Sequence, residues 1–178
     1  MAPSLPTCRV AAGALALSFL LSHAVTASAQ GLRRSTHVRS DDPTLLRVIQ
    51  EGMERSTTFR EMVTRIDSLP GLVYIVPSRC GAKSALPACL DHNVHTRGGY
   101  RLLRVNVMPN ESGPYLIALI AHELQHVIEV LSDESATSRE AVTEMYQRIS
   151  SKRSSARGFE TDAALAAQRM VVQELRAR

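Results

Sequence analysis

The chain has no tryptophan and only three phenylalanines among its 178 residues. One of these, Phe19, lies in an apolar segment near the N-terminus, which leaves Phe59 and Phe159 and no aromatic platform for sugar rings. There is no glycine-rich phosphate loop and no G-x-S-x-G elbow, so the nucleotide-binding and serine-hydrolase patterns are excluded. The densest basic run, residues 152–157, is serine-rich and carries no interleaved aromatics. It fits a solvated loop between two helices and gives nucleic-acid binding no support. No internal repeat and no long low-complexity tract occurs. The longest early apolar run, residues 10–21, is shorter than the roughly 20 residues that a membrane-spanning helix needs.

That short run has a different reading. Arg9 precedes it, only Gly13 and Ser18 interrupt it, and Ala27-Ser28-Ala29 follows as a small-x-small cleavage site. The pattern predicts an export signal over residues 1–29, giving a secreted or periplasmic protein with no stable membrane insertion after cleavage; an uncleaved anchor is the alternative. About 150 residues remain, enough for one domain with one core. Arg9 is the one charged side chain removed, so the formal charge of +4 falls by a single unit.

Cys8 leaves with the signal. Cys80 and Cys89 then form an isolated close pair, which in an oxidising compartment predicts a disulfide pinning the loop between two strands. His92 and His95 stand near enough that a mixed Cys/His metal site is the alternative.

Periodicity divides the rest. Residues 30–40 are basic and aperiodic, a flexible leader, and residues 41–178 form a single domain. Asp41-Asp42-Pro43 opens a helix carrying Leu45, Leu46, Val48, Ile49 and Met53, and Thr57 or Thr58 caps a second with Phe59, Met62, Val63 and Ile66. Residues 72–76 are a short apolar strand. Residues 100–108 alternate, with Leu103, Val105 and Val107 facing one way and Arg104 and Asn106 the other, as in a half-buried strand at a sheet edge. Helices are expected over residues 115–131, 136–149 and 159–175, the second burying Ala141, Val142, Met145 and Ile149. Helices, a small sheet, then helices make an α+β fold.

The helix over residues 115–131 carries the chemistry. Gly113-Pro114 punctuates its start, with Ser112 or Asn110 available as caps. Within an otherwise apolar run it holds His122-Glu123-Leu124-Gln125-His126. The two imidazoles fall on one helical face about one turn apart, within reach of one metal ion, and the carboxylate beside them is placed to deprotonate a water. Two histidines bonded to backbone carbonyls in a core are the alternative, which leaves Glu123 and Glu129 unexplained.

A catalytic zinc site needs a third protein ligand. Helical angles turn Glu140 and Glu144 toward solvent, whereas Glu160 shares a face with Ala163, Ala164, Ala167 and Val171. A buried carboxylate there needs a positive partner. Glu129, a turn beyond His126, suits a supporting hydrogen bond better than ligation.

The HELQH pentapeptide on a buried helix, followed by Glu-Thr-Asp-Ala-Ala at the opening of a later helix, resembles the gluzincin metallopeptidases. The resemblance covers roughly residues 100–175 and its length is similar to that of the small members. It implies a zincin-like fold, with a small sheet, a buried active-site helix and a C-terminal ligand-bearing helix. It further implies Zn2+ held by His122, His126 and Glu160, with Glu123 as the general base for hydrolysis of a peptide or protein substrate. One departure is visible: where many gluzincins carry an Asp one turn beyond the Glu ligand to support a histidine, this chain has Ala164, and the nearest acid is Asp162. The metzincin variant is excluded, because Glu129-Val130-Leu131-Ser132 stands where a Gly and a third His belong.

Tyr146, Arg157, His95 and Tyr100 are candidates to stabilise the transition state. A gluzincin-like metal-binding scaffold without turnover is the rival reading. A third is a latent enzyme whose segment before Pro70 covers the cleft until cut near Arg33-Arg34 or Arg39.

Overall fold

In the computed structural model the described residues are 35–81, 84–108, 112–150 and 159–177. The export signal, the first part of the leader, Asn110 and the 152–157 loop with Arg157 lie outside them.

The elements are β1 (Val38–Arg39), α1 (Pro43–Arg55), α2 (Thr57–Asp67), β2 (Gly71–Pro77), β3 (Ala88–Arg97), β4 (Tyr100–Val107), α3 (Gly113–Ser132), α4 (Arg139–Ile149) and α5 (Asp162–Arg176). The fold is α+β, with a mixed four-stranded sheet in the order β1-β2-β4-β3. β1, β2 and β4 run parallel, and β3 pairs antiparallel with β4. A two-residue turn joins β3 to β4, with Gly98 at φ 59 and Gly99 at φ 81, the backbone of a type I′ hairpin.

Two expectations about the strands change. β4 lies inside the sheet rather than at its edge, because residues 88–97, read as part of the cysteine loop, form β3 outside it. The described end of the leader also has a fixed place. Asp67 Oδ1 accepts from Ser35 Oγ at 2.7 Å and from the His37 amide at 3.0 Å, and the Val73 amide donates to the His37 carbonyl at 2.8 Å. Residues 35–40 thereby close the sheet edge opposite β3.

Local chemistry sets the helix ends. Asp42 caps α1, accepting from the Thr44 and Leu45 amides at 2.9 Å each. Ser56, one residue before the expected threonines, caps α2 through the Phe59 amide at 2.9 Å. α4 starts at its Ser138 cap, later than expected, and buries Val142, Met145 and Tyr146, while Ile149 is exposed.

α3 is the centre of the core. Thirteen of its residues are buried, and α5, α2, α1 and the sheet all pack on it. By length and composition it could span a bilayer, yet 72% of its most apolar window is buried against the rest of the chain, as in a core helix. No basic residue of its own lies in its last turn. Arg101 on β4, 5% exposed, supplies one, donating to the carbonyls of Val130 at 2.9 Å, Leu131 at 2.6 Å and Asp133 at 2.6 Å. These are the carbonyls that a helix leaves unpaired at its C-terminus. Gly71 permits the same approach from β2: a Cβ there would sit 2.3 Å from Leu131 Cδ2.

Candidate metal centre

His122, Glu123 and His126 are 8%, 6% and 5% exposed on α3. The two imidazole centroids are 4.9 Å apart with their planes at 79°. Glu160 meets them from outside α5. It precedes the N-cap Thr161, outside the helix, so its position follows from the cap and not from a helical face, and Ala163, expected on the buried side, is exposed. Glu160 Oε2 stands 3.3 Å from His122 Nε2. Counting one donor atom from each, His122, His126 and Glu160 bring three donors within 4.8 Å of one another, the one such group of three or more His, Cys, Asp or Glu side chains among the described residues.

A hydrogen-bond chain sets this geometry. Thr161 Oγ1 accepts from the Ala164 amide at 3.1 Å, capping α5, and donates to Glu129 Oε1 at 2.7 Å. The other oxygen of Glu129 lies 2.8 Å from His126 Nδ1. The residue next to Glu160 is thus tied through one carboxylate to a motif histidine. With Nδ1 engaged, His126 has Nε2 left as its donor.

The site's electrostatics follow from burial and pairing. Burial pushes the Glu123 carboxyl up, and the charges of His126 and His122 with the Leu90 amide only partly oppose it. For His122, burial works against the charged ring, but the Glu160 carboxylate 3.3 Å away and the charge of Glu123 outweigh it, and the net direction is up. Glu160 is held below the usual carboxylate range, chiefly by the adjacent His122 ring.

His122 Nδ1 and Glu160 Oε2 are buried without a hydrogen-bond partner among the described residues. Buried polar atoms normally have one. Two imidazoles and one carboxylate with an unsatisfied oxygen, Glu160 Oε2, make a donor set that could hold a divalent metal ion.

The group opens on a cavity of about 620 Å³ walled by α3, β3, Phe159 and the β2–β3 connection. None of its lining residues precedes Ser78, so the described part of the segment before Pro70 does not cover it. Cys80 and Cys89 lie at disulfide distance, Cα to Cα 5.8 Å, and the link ties the connection to the edge strand itself, since Cys89 belongs to β3.

The stabiliser candidates separate. Tyr146 is 1% exposed and its hydroxyl donates to the His126 carbonyl at 3.2 Å, so it braces the helix. His95 and Tyr100 do not line the cavity. His92 does, stacked on Tyr146 at 5.3 Å and Phe159 at 5.9 Å between centroids. Burial, followed by the charges of Arg139 and His126, pushes its pKa down and keeps the ring neutral near pH 7. The sequence showed His92 only as a partner for the cysteines, because the three stacked rings come from separate segments.

Comparison with known proteins found no match: no family model, no curated protein and no solved structure matches the chain.

Proposed function

We propose that the chain is an exported, zincin-like peptidase of gluzincin type that hydrolyses peptide bonds with a zinc ion. The reading rests on one observation above the others: His122, His126 and Glu160 converge within 4.8 Å on a cavity wall, beside the buried Glu123. In it His122, His126 and Glu160 hold the ion and Glu129 orients His126. Zinc bound there acts as a Lewis acid, making water more acidic and polarising a carbonyl. Glu123 takes the proton of the attacking water and returns it to the leaving amine, a task suited to a carboxyl whose burial has raised its proton affinity. His92, a ring N–H donor lining the same cavity, stabilises the oxygen that gains charge. An extended substrate adds to the open edge of β3, which forms the outer strand of the sheet on the cavity side.

The Cys80–Cys89 pair is compatible with the oxidising compartment that an exported protein reaches. The departure at Ala164 also has a counterpart in the fold. His122 Nδ1 has no carboxylate on it, and the supported histidine is instead His126. This favours, as a second reading, a metal-binding protein without turnover.

The deciding experiment is Glu123→Gln in purified protein. Loss of chelator-sensitive casein hydrolysis with zinc still bound at one equivalent supports the peptidase. Unchanged hydrolysis rejects it, and zinc without hydrolysis by the unsubstituted protein selects the second reading.

A further inference from the structure

The same cavity holds three arginines, Arg79, Arg104 and Arg139, and their partners differ. Arg139 is engaged: its Nε donates to Asn93 Oδ1 at 2.9 Å and its Nη2 lies 3.4 Å from Asp91 Oδ1. Asp91 also accepts from the Asn93 amide at 3.0 Å. Of the other acids on the wall, Glu160 is one of the three candidate metal donors and Glu123 is buried beside them. Arg79 and Arg104 make no ion pair or side-chain hydrogen bond among the described residues, although Arg104 sits opposite Asp91 in the β3–β4 register. Both are exposed, hence hydrated and accessible.

Strand geometry puts the two on the substrate's path. On β4, Leu103, Val105 and Val107 face the buried side, so Arg104 projects from the opposite face of the sheet. Arg79 is adjacent to Cys80, which is tied to Cys89, and Cys89 pairs with Asn106 two residues along from Arg104. The disulfide therefore ties the residue next to Arg79 to the strand face that carries Arg104, and both arginines line the cavity. A peptide added to the β3 edge turns every second side chain to that face. Guanidinium groups bind carboxylates through paired donors, and a groove between low-dielectric walls strengthens their field.

We propose that this cleft selects peptides bearing carboxylate side chains at alternate positions, held by Arg79 and Arg104. The inference rests on the peptidase reading of the same site and supplies its substrate class.

The test is fluorescence anisotropy on zinc-loaded Glu123→Gln protein, with three labelled extended peptides identical except for Glu, Gln or Lys at alternate positions. The Glu peptide is expected to bind roughly tenfold tighter than the Gln peptide, as two exposed ion pairs allow, with the Lys peptide weakest. Salt raised to about 0.5 M should shrink the gap by screening. Arg79→Gln with Arg104→Gln should erase the order, Arg79→Glu with Arg104→Glu should invert it, and Arg65→Gln, an exposed cation on α2 away from the cavity, should leave it intact. Equal binding of the three peptides, no binding, or an order that survives loss of both arginines overturns the proposal. Failure of the peptidase reading is seen separately, as no cleavage of any of the three by unsubstituted zinc-loaded protein, while the anisotropy order still decides the charge selectivity.

Discussion

Glu160 and Glu174 stand at opposite ends of α5, and their surroundings differ in kind. Glu174 accepts from Ser56 Oγ, from the Thr58 amide at 3.1 Å and from Thr58 Oγ1 at 2.9 Å. α2 has no acid in its first turn, so this carboxylate supplies the negative charge that a helix N-terminus favours. Both of its oxygens have partners. Glu160 has two imidazoles nearby, and its Oε2, 3.3 Å from His122 Nε2, is buried without a hydrogen bond. The first carboxylate fastens two helices, and the second has an oxygen left without a hydrogen bond beside two imidazoles. The same contrast separates Arg101, which closes the end of α3, from Arg79 and Arg104.

The sharpest way to break this contrast is to exchange the expected losses. Glu160→Ala should weaken zinc binding by more than about 100-fold and abolish hydrolysis, while the melting temperature of the metal-free protein shifts little. A large drop in that temperature with zinc affinity intact would make Glu160 a structural residue like Glu174. His92→Ala should lower kcat on the order of 10²-fold with zinc content unchanged, the usual cost of removing a charge-stabilising donor. Equal kcat would leave His92 as packing for Tyr146. Glu129→Ala should reduce zinc affinity by about 10–100-fold, and Glu129→Gln should recover part of the loss because an amide oxygen still accepts from His126 Nδ1. Isothermal titration would read both.

The smallest effect is expected at the other end of α5. Glu174→Gln should cost roughly 1–2 kcal/mol of stability in chemical denaturation and leave zinc affinity unchanged. Burial raises the Glu174 pKa, but the bonds from Ser56 and Thr58 outweigh it and the net direction is down. Its folded pKa then lies below the unfolded value of about 4.3, so its contribution is present above that pH and is lost as pH falls through the folded value. The difference between unsubstituted and Glu174→Gln protein should therefore close in acid. A difference that widens in acid would contradict the assignment.

The sequence disclosed the elements whose periodicity is strong. α1, α2, β2, β4 and α3 carry regular apolar spacing, and the spacing of His122 and His126 needs only helix geometry to place them on one face. β3 was hidden because it is an edge strand, polar from Asp91 onward and irregular in register between Asp91 and His95. β1 is two residues long, too short for any periodicity. The helical angle that singles out Glu160 in the sequence does not apply to it, because it lies ahead of α5. The usable signal was Thr161, an N-cap residue type three before Ala164, which places Glu160 just ahead of the helix. The stacked rings of His92, Tyr146 and Phe159 and the arginine pair exist only through long-range folding, and no local pattern marks them.

In the proposed function, two imidazoles from α3 and the carboxylate before α5 share one divalent ion. Anomalous X-ray diffraction at the zinc edge, on crystals equilibrated with zinc, tests it most directly. One strong peak is expected, with bonds of about 2.0–2.2 Å to His122, His126 and Glu160. A saturated crystal with no peak among these three side chains, or with the ion held elsewhere, would contradict it.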